Sequence, residues 1–515
     1  MVTDFTNLIL LDIDGLRHDV LQEALALGKV PNIARLLGGS DLSHGLLMPV
    51  TAPAPSITFC SQASLFTGTH PKAHGIPGNQ FFDRFGKYGD GTPRHYAFDV
   101  GDQLAVDDAV GVYTHGLAAK CLQVPTVYER LSYKGWRSVV AGNMYATGAD
   151  RWVKPSLVDL ARFTKGGNLL GLSASEFDKR TLQSTLDELE SGGVPEILTF
   201  YFLGLDSTSH KKGPKAQLNY LAEELDPKIG RLWNAISSNP TFRNPLVALF
   251  SDHGQIEVIP DKRHSLRLSF PFERELGHLF DALGLDVHDY PGEDPHCDAV
   301  VASNGGTAYV YLQNTTEHWY DPPQFERDVI PVAKAFWEAD LEGKYADEMK
   351  DSIAGILIRN VERGGWDAPY QAFTPEGEVV ELEAWFSQNP MTDNPISDDR
   401  FVTSRTSATG HRLPELYLDP INRIHNLTGP MVGDLLLISN YAEGFYFGPI
   451  VTGVHGGLHP EDSTGVLAYG FPGQDTETTA ALQTRIQTAI ETRCSHEDGR
   501  HPGVVDMVTG LLSVL

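Results

Sequence analysis

Positive charge is scarce in this chain, cysteine is scarcer, and long apolar runs are missing. Lys and Arg number 40 against 67 Asp and Glu, a formal charge of −27 over 515 residues. Such a surface repels a nucleic-acid backbone or an anionic bilayer, so neither polymeric nucleic acid nor a membrane is expected as a partner. A small anionic substrate stays open, because bound divalent ions reverse the local field whatever the global charge. The four cysteines, Cys60, Cys121, Cys297 and Cys494, lie far apart and form no CxxC pair. Their scatter argues against a disulfide scaffold or a thiolate metal site and suits a reducing compartment. The first residues carry neither a basic n-region nor an apolar h-region, and no stretch approaches the length that crosses a bilayer, so a soluble, cytoplasmic chain is expected.

Core-forming material is ample. Apolar residues make up 41% of the chain and charged residues 21%, as in ordinary globular proteins. The length exceeds one usual hydrophobic core, which predicts a large core with an inserted subdomain. Short runs rich in Ile, Leu, Val and Phe recur at 8–13, 136–141, 197–203, 246–250, 434–438 and 465–469, with helical stretches between them at 19–37 (broken at Pro31), 58–67, 125–134, 215–236 and 476–493. This alternation predicts an α/β fold with a mostly parallel central sheet sandwiched by helices. From 256 to 430 the rhythm breaks into short segments rich in Pro, Gly, Asp and aromatics. We expect a core in two parts, 1–255 and 431–515, interrupted by an α+β cap at 256–430. Residues 80–124 read as a smaller loop excursion near the site mouth, and 504–515 as a docked core helix.

Three of the apolar runs lead into an acid: 8–13 into Asp14, 197–203 into Asp206 and 246–250 into Asp252. Carboxyl ends of parallel strands are where open α/β sheets place their sites. Asp206 and His210 are spaced i, i+4 and would share one face of a helical turn. Asp252 and His253 are adjacent, so both can face one ion only at an irregular strand end, which Gly254 would allow. With Thr58 and His455 these residues outline a two-metal hydrolase site. Mixed Asp/His ligation without thiolate suits Zn²⁺ first and Mn²⁺ next. Phosphoryl transfer needs a nucleophile and neutralisation of the non-bridging oxygens. Thr58 would start a helix, so N–H groups of its first turn could hold phosphate oxygens.

The arrangement resembles the alkaline phosphatase superfamily, and within it the type I phosphodiesterase / nucleotide pyrophosphatase branch. Asp14-Gly15-Leu16-Arg17 is similar to that branch's DGxR segment, and Thr58-Phe59, Thr67-Gly68, His74-Gly75-Ile76 and Gly78-Asn79 to its TF…TG…HGI.GN region. Asp206 through His210 followed by Gly213-Pro214 matches DxxxH…GP, and Ser251-Asp252-His253-Gly254 matches SDHG. The resemblance implies one metal held by Asp206, His210 and His455 and another by Asp14, Asp252, His253 and the Thr58 oxygen. It also implies attack by Thr58 on phosphorus, a phosphothreonine intermediate and release by water. Two positions depart from the branch. Ser61, preceded by Cys60, stands where an Asn that holds a phosphate oxygen is usual, and His455-Gly456-Gly457 is closer to the HGG form of phosphonoacetate hydrolases and metal-dependent phosphomutases.

The expected activity is hydrolysis of a small phosphodiester. A phosphomonoesterase or a phosphonate hydrolase shares every ligand, and an inactive metal-binding protein is the reading from outside catalysis. Ser61 and Asn79 are the candidates for substrate contact, although Asn79 and His74 also suit shaping of the loop after the nucleophile helix. His459 is the rival to His455 or a residue behind it. Arg17 is expected to brace the first strand-to-helix turn. The cluster Lys262, Arg263, His264 and Arg267 is either a recognition patch for an anionic leaving group or a solvated face.

Overall fold

The computed structural model describes residues 4–98, 106–164, 171–268, 275–288, 292–293, 296–314, 318–387, 391–392 and 416–515. Its central sheet has seven strands in the order Gly45–Thr51, Thr464–Gly470, Pro245–Phe250, Asn7–Ile13, Ile197–Phe202, Ser138–Ala141 and Arg151–Val153. The five strands from Pro245–Phe250 to Arg151–Val153 run parallel, whereas Thr464–Gly470 runs antiparallel to both of its neighbours. The first strand shows why its apolar run has no polar alternation: Leu8 and Leu10 enter one hydrophobic cluster while Ile9, Leu11 and Ile13 enter another. Helices cover both faces, so both must be apolar.

A second seven-stranded sheet is mostly antiparallel, in the order Val287–His288, Ala299–Asn304, Thr307–Leu312, Leu435–Ser439, Ile353–Arg359, Tyr370–Phe373 and Val379–Val380. Here the structure corrects the sequence reading: the run at 434–438 belongs to this sheet and not to the mostly parallel one. Leu435 and Leu437 pack into one cluster and Leu436 and Ile438 into another. A strand buried on both faces has the same sequence signature in either kind of sheet.

Gly45–Thr51 went unread as a strand because Pro49 interrupts it. Pro49 pairs with Val466 on an edge strand, where an absent N–H is tolerated. Within 80–124 the described residues include an antiparallel pair, Gln80–Asp83 with Arg94–Ala97, and the helix Val106–His115. The C-terminal helix Asp506–Val514 is docked, with Met507, Val508, Leu511 and Val514 buried. Among the described residues no helix is long and apolar enough to cross a membrane.

Candidate metal centre

Asp14 lies just past Asn7–Ile13, its N–H bonded to the Phe202 carbonyl at 3.0 Å across the sheet. Asp206 and His210 ride on the helix Gly204–Lys212, which opens directly after Ile197–Phe202. Asp252 and His253 leave Pro245–Phe250 without regular structure, so adjacent side chains turn to one side. Gly254 has a reason other than turning: a Cβ there would sit 2.2 Å from the Glu461 carbonyl oxygen. His455 follows Gly453–Val454, which pairs with Ile256–Glu257 and brings the two histidine segments together. Thr58 is the first residue of the helix Thr58–Thr67.

These seven side chains converge. Thr58 Oγ1 is 3.1 Å from His253 Nε2, which is 3.4 Å from both Asp14 Oδ1 and Asp252 Oδ2. His210 Nε2 is 3.2 Å from Asp206 Oδ2 and from His455 Nε2, and His455 Nε2 is 3.5 Å from Asp206 Oδ1. Ligand atoms of Asp14, Asp252 and His253 lie within 4.8 Å of one another, as do those of Asp206, His253 and His455. His253 thus stands between the two groups, its ring stacked on His455 with centroids 3.7 Å apart.

Three observations test whether the donor set fits a metal. Each histidine spends Nδ1 on a backbone carbonyl: His210 on Gly453 at 2.8 Å, His253 on Gly254 at 2.9 Å and His455 on Ser56 at 3.0 Å. A carbonyl only accepts, so Nδ1 carries the proton and every Nε2 lone pair faces the centre, as in histidine metal ligation. Asp14 Oδ1, Asp206 Oδ1 and Asp252 Oδ2 are buried without hydrogen-bond partners, a costly state for a carboxylate unless a cation joins it. The charges strain against one another as well. Burial pushes the Asp14 carboxyl well up, with Asp252 and Asp206 adding to it, and burial raises Asp252 against the pull of His253. Burial opposes the charge of Asp206 too, but His210, His455 and His253 together outweigh it and hold that carboxyl below the ordinary range. Burial drives the His455 imidazole well below its usual value, with His253 adding to the fall. The residues fit divalent cations.

Several contributors escaped the sequence reading. The Tyr201 phenol donates to Asp14 Oδ2. Asp12, two residues before Asp14, is buried and receives Gln62 Nε2 at 3.0 Å and Asn143 Nδ2 at 2.8 Å, and burial followed by the nearby Asp252 raises its carboxyl. The tip of the second sheet's hairpin also reaches the centre. Gly306 N–H donates to the His455 carbonyl at 3.0 Å, Thr307 Oγ1 to the Gly456 carbonyl at 2.9 Å, and Asn304 Oδ1 accepts the Asn79 N–H at 2.8 Å. No spacing rule predicts such contacts; their only trace in sequence is a polar residue inside an apolar run.

Asn79 Oδ1 accepts the Phe59 N–H at 2.9 Å, so this side chain caps the Thr58 helix and one expected anion donor is already engaged. Ser61 is buried with its hydroxyl unpartnered. His74 bonds Ser64 Oγ at 2.9 Å and accepts the Ile76 N–H. His459 Nδ1 accepts the Glu461 N–H at 3.1 Å, and His459 joins neither ligand group. Arg17 braces the turn, donating to Glu461 at 2.7 Å and to the Gln255 carbonyl at 3.0 Å. In the basic cluster Lys262 and Arg263 are exposed, His264 pairs with Asp261 at 2.7 Å and Arg267 is buried.

Comparison with known proteins agrees with this fold. A Schizosaccharomyces pombe protein described as an uncharacterized pyrophosphatase/phosphodiesterase is 22% identical over 251 residues, spanning 48% of this chain and 44% of that relative's length. Human ectonucleotide pyrophosphatase / phosphodiesterase 5 has a similar fold, at TM-score 0.51, 12% identity and 96% coverage of each chain. So does its inactive murine counterpart in complex with AMP, at TM-score 0.51, 12% identity and coverage of 96% and 95%. A family model described as type I phosphodiesterase / nucleotide pyrophosphatase matches residues 8–370. That span holds every candidate ligand except His455. The chain belongs to the type I phosphodiesterase / nucleotide pyrophosphatase family, with an alkaline phosphatase-like α/β fold.

Proposed function

We propose that this chain hydrolyses a small, nucleotide-like phosphodiester or pyrophosphate with two divalent metals, Zn²⁺ in first place and Mn²⁺ in second. The observation that supports this most is the convergence of Thr58 with six Asp and His side chains, with a buried, unpartnered oxygen on each of the three acids and the histidine Nε2 atoms gathered around them. Asp206, His210 and His455 would hold one ion and Asp14, Asp252 and His253, with the Thr58 oxygen, the other. When bound, such ions supply positive charge that lowers the pKa of a coordinated hydroxyl and neutralises phosphate oxygens.

The chain's own residues do the rest. Thr58 Oγ1 attacks phosphorus, the Oγ–P bond forms as the P–O bond to the leaving group breaks, and water then releases the phosphothreonine in a second displacement. Placement at the start of a buried helix holds the hydroxyl in one orientation, and the Asn79 cap fixes that first turn. Ser61, one turn along, presents a hydroxyl with no internal partner and is our candidate for contact with a phosphate oxygen. Residues 256–430 would form the cap beside the site, with the hairpin tip at Asn304 to Thr307 as its point of contact, and Lys262, Arg263, His264 and Arg267 as candidates for the leaving group. AMP in the murine relative makes a nucleoside monophosphate diester the first substrate class to try.

The test compares turnover of a nitrophenyl phosphodiester, a nucleotide diester and a nitrophenyl phosphomonoester by zinc-loaded wild type, chelated protein and Thr58→Ala. Diester preference lost in both controls is the expected result. Monoester preference would move the chain to the phosphatase reading, and activity surviving Thr58→Ala would remove the nucleophile.

A further inference from the structure

Gln255 directly follows Asp252-His253-Gly254 and is fully buried, yet neither Oε1 nor Nε2 has a hydrogen-bond partner. Its main chain is fully engaged, the N–H donating to the Glu461 carbonyl at 2.8 Å and the carbonyl accepting from Arg17 Nη1 at 3.0 Å. The backbone therefore fixes where the side chain goes while its amide stays idle. Burying an idle amide costs stability, and Met or Leu would fill similar space without that cost. A polar group kept in such a place points to a partner.

The surroundings identify that partner. A Cβ built on Gly15 would lie 3.3 Å from Gln255 Oε1 and 3.1 Å from Asp206 Oδ1, so both oxygens border the space beside this one glycine. On the other side, a Cβ on Gly453 would lie 3.3 Å from Gln255 Cγ, and the Gly453 carbonyl is the group that holds His210 Nδ1. The amide thus sits behind the Asp206 and His210 pair. Asp206 Oδ1 is itself buried and without a hydrogen bond. A half-turn of the amide exchanges Oε1 for Nε2 without changing its volume and turns an N–H toward the Gly15 side, where that carboxylate also lies.

We propose that Gln255 is a positioning residue of the candidate metal centre: its amide donates to Asp206 and sets which carboxylate oxygen is offered to a divalent cation. This rests on the metal-centre reading above. Hydrogen bonds to ligating carboxylates orient them, and their loss typically weakens metal binding about 10- to 100-fold.

The test uses the full chain as wild type, Gln255→Met and Gln255→Leu, two apolar replacements of similar volume. Zn²⁺ affinity is measured by chelator competition, and thermal unfolding is followed on the metal-free protein. The expected pair of results has opposite signs: Zn²⁺ affinity falls by roughly 10-fold, while the metal-free variants melt at or above the wild-type temperature because an unsatisfied amide is gone. In an Asp206→Asn background the loss of affinity on changing Gln255 should vanish, since no carboxylate remains to be oriented. Unchanged affinity in both variants overturns the proposal, as does a matched fall in metal-free stability and affinity, which marks a packing role. A wild type that binds no Zn²⁺ overturns the metal-centre reading itself.

Discussion

Two buried acids show how this chain treats charge. Asp506 is fully buried but has its own cation, receiving Arg500 Nη1 at 2.7 Å, Arg500 Nη2 at 2.8 Å and the Gly503 N–H at 2.8 Å. Asp252 is equally buried, and its Oδ2 has no hydrogen-bond partner. Asp178 lies between these cases: it receives the Gly204 N–H and the Tyr220 phenol, each at 3.2 Å. Desolvation wins there and pushes its carboxyl up to about 7. A carboxylate that must stay charged in the interior is given a cation by the sequence. Among the described residues no guanidinium or ammonium pairs with the acids of the candidate centre, which is the physical reason to look for the cation outside the chain.

Breaking the internal pair should have the largest effect. Asp506→Asn leaves Arg500 buried beside Glu497 alone, and we expect a loss of roughly 3 kcal/mol in urea unfolding, with or without metal. A loss below about 1 kcal/mol would mean that the pair is not structurally important. The equivalent change at the centre should do the opposite. Asp252→Asn keeps an oxygen for the Gly15 N–H, which now donates to Oδ1 at 3.0 Å. The metal-free protein should gain about 1 kcal/mol, while Zn²⁺ affinity drops roughly 100-fold or more. Destabilisation of the metal-free variant would contradict the view that this carboxylate is held at a cost.

Asp178 sharpens the series through pH. A folded carboxyl at about 7 binds its proton more tightly than the unfolded chain does, so its contribution favours folding in acid and is lost as pH rises from about 4 to about 7. Relative to wild type, Asp178→Asn should therefore gain stability between pH 4.5 and pH 7.5, by roughly 1–3 kcal/mol. Urea midpoints at the two pH values check this, and parallel profiles would refute it. The smallest effect should come from Tyr201→Phe, which removes the phenol donated to Asp14. Zn²⁺ affinity should fall roughly 10-fold with little change in metal-free stability.

The candidate centre was legible to the extent that chemistry sits at strand ends. Asp14, Asp206 and Asp252 each follow an apolar run, and Thr58 opens a helix whose bounds, 58–67, match the expectation. Tyr201, Asp12 and Asn304 were not legible, because their contacts join segments distant in the chain, from 50 residues for Asp12 with Gln62 to 225 for Asn304 with Asn79, and depend on register, not on spacing. The fold shows the same division. Buried parallel strands announced themselves, but Gly45–Thr51 was hidden by Pro49, and the sheet membership of Leu435–Ser439 could not be told from its composition.

The place of Thr464–Gly470 also orders events in time. It fills the gap between Gly45–Thr51 and Pro245–Phe250, and neither of those strands pairs with the other directly. A growing chain that has not yet delivered residue 464 has nowhere in the sheet to attach Gly45–Thr51, the strand leading into the Thr58 helix, and it lacks the neighbouring His455 segment until nearly the same moment. Gly45–Thr51, the strand that leads into Thr58, thus takes its place in the sheet only when the segment just after His455 is present.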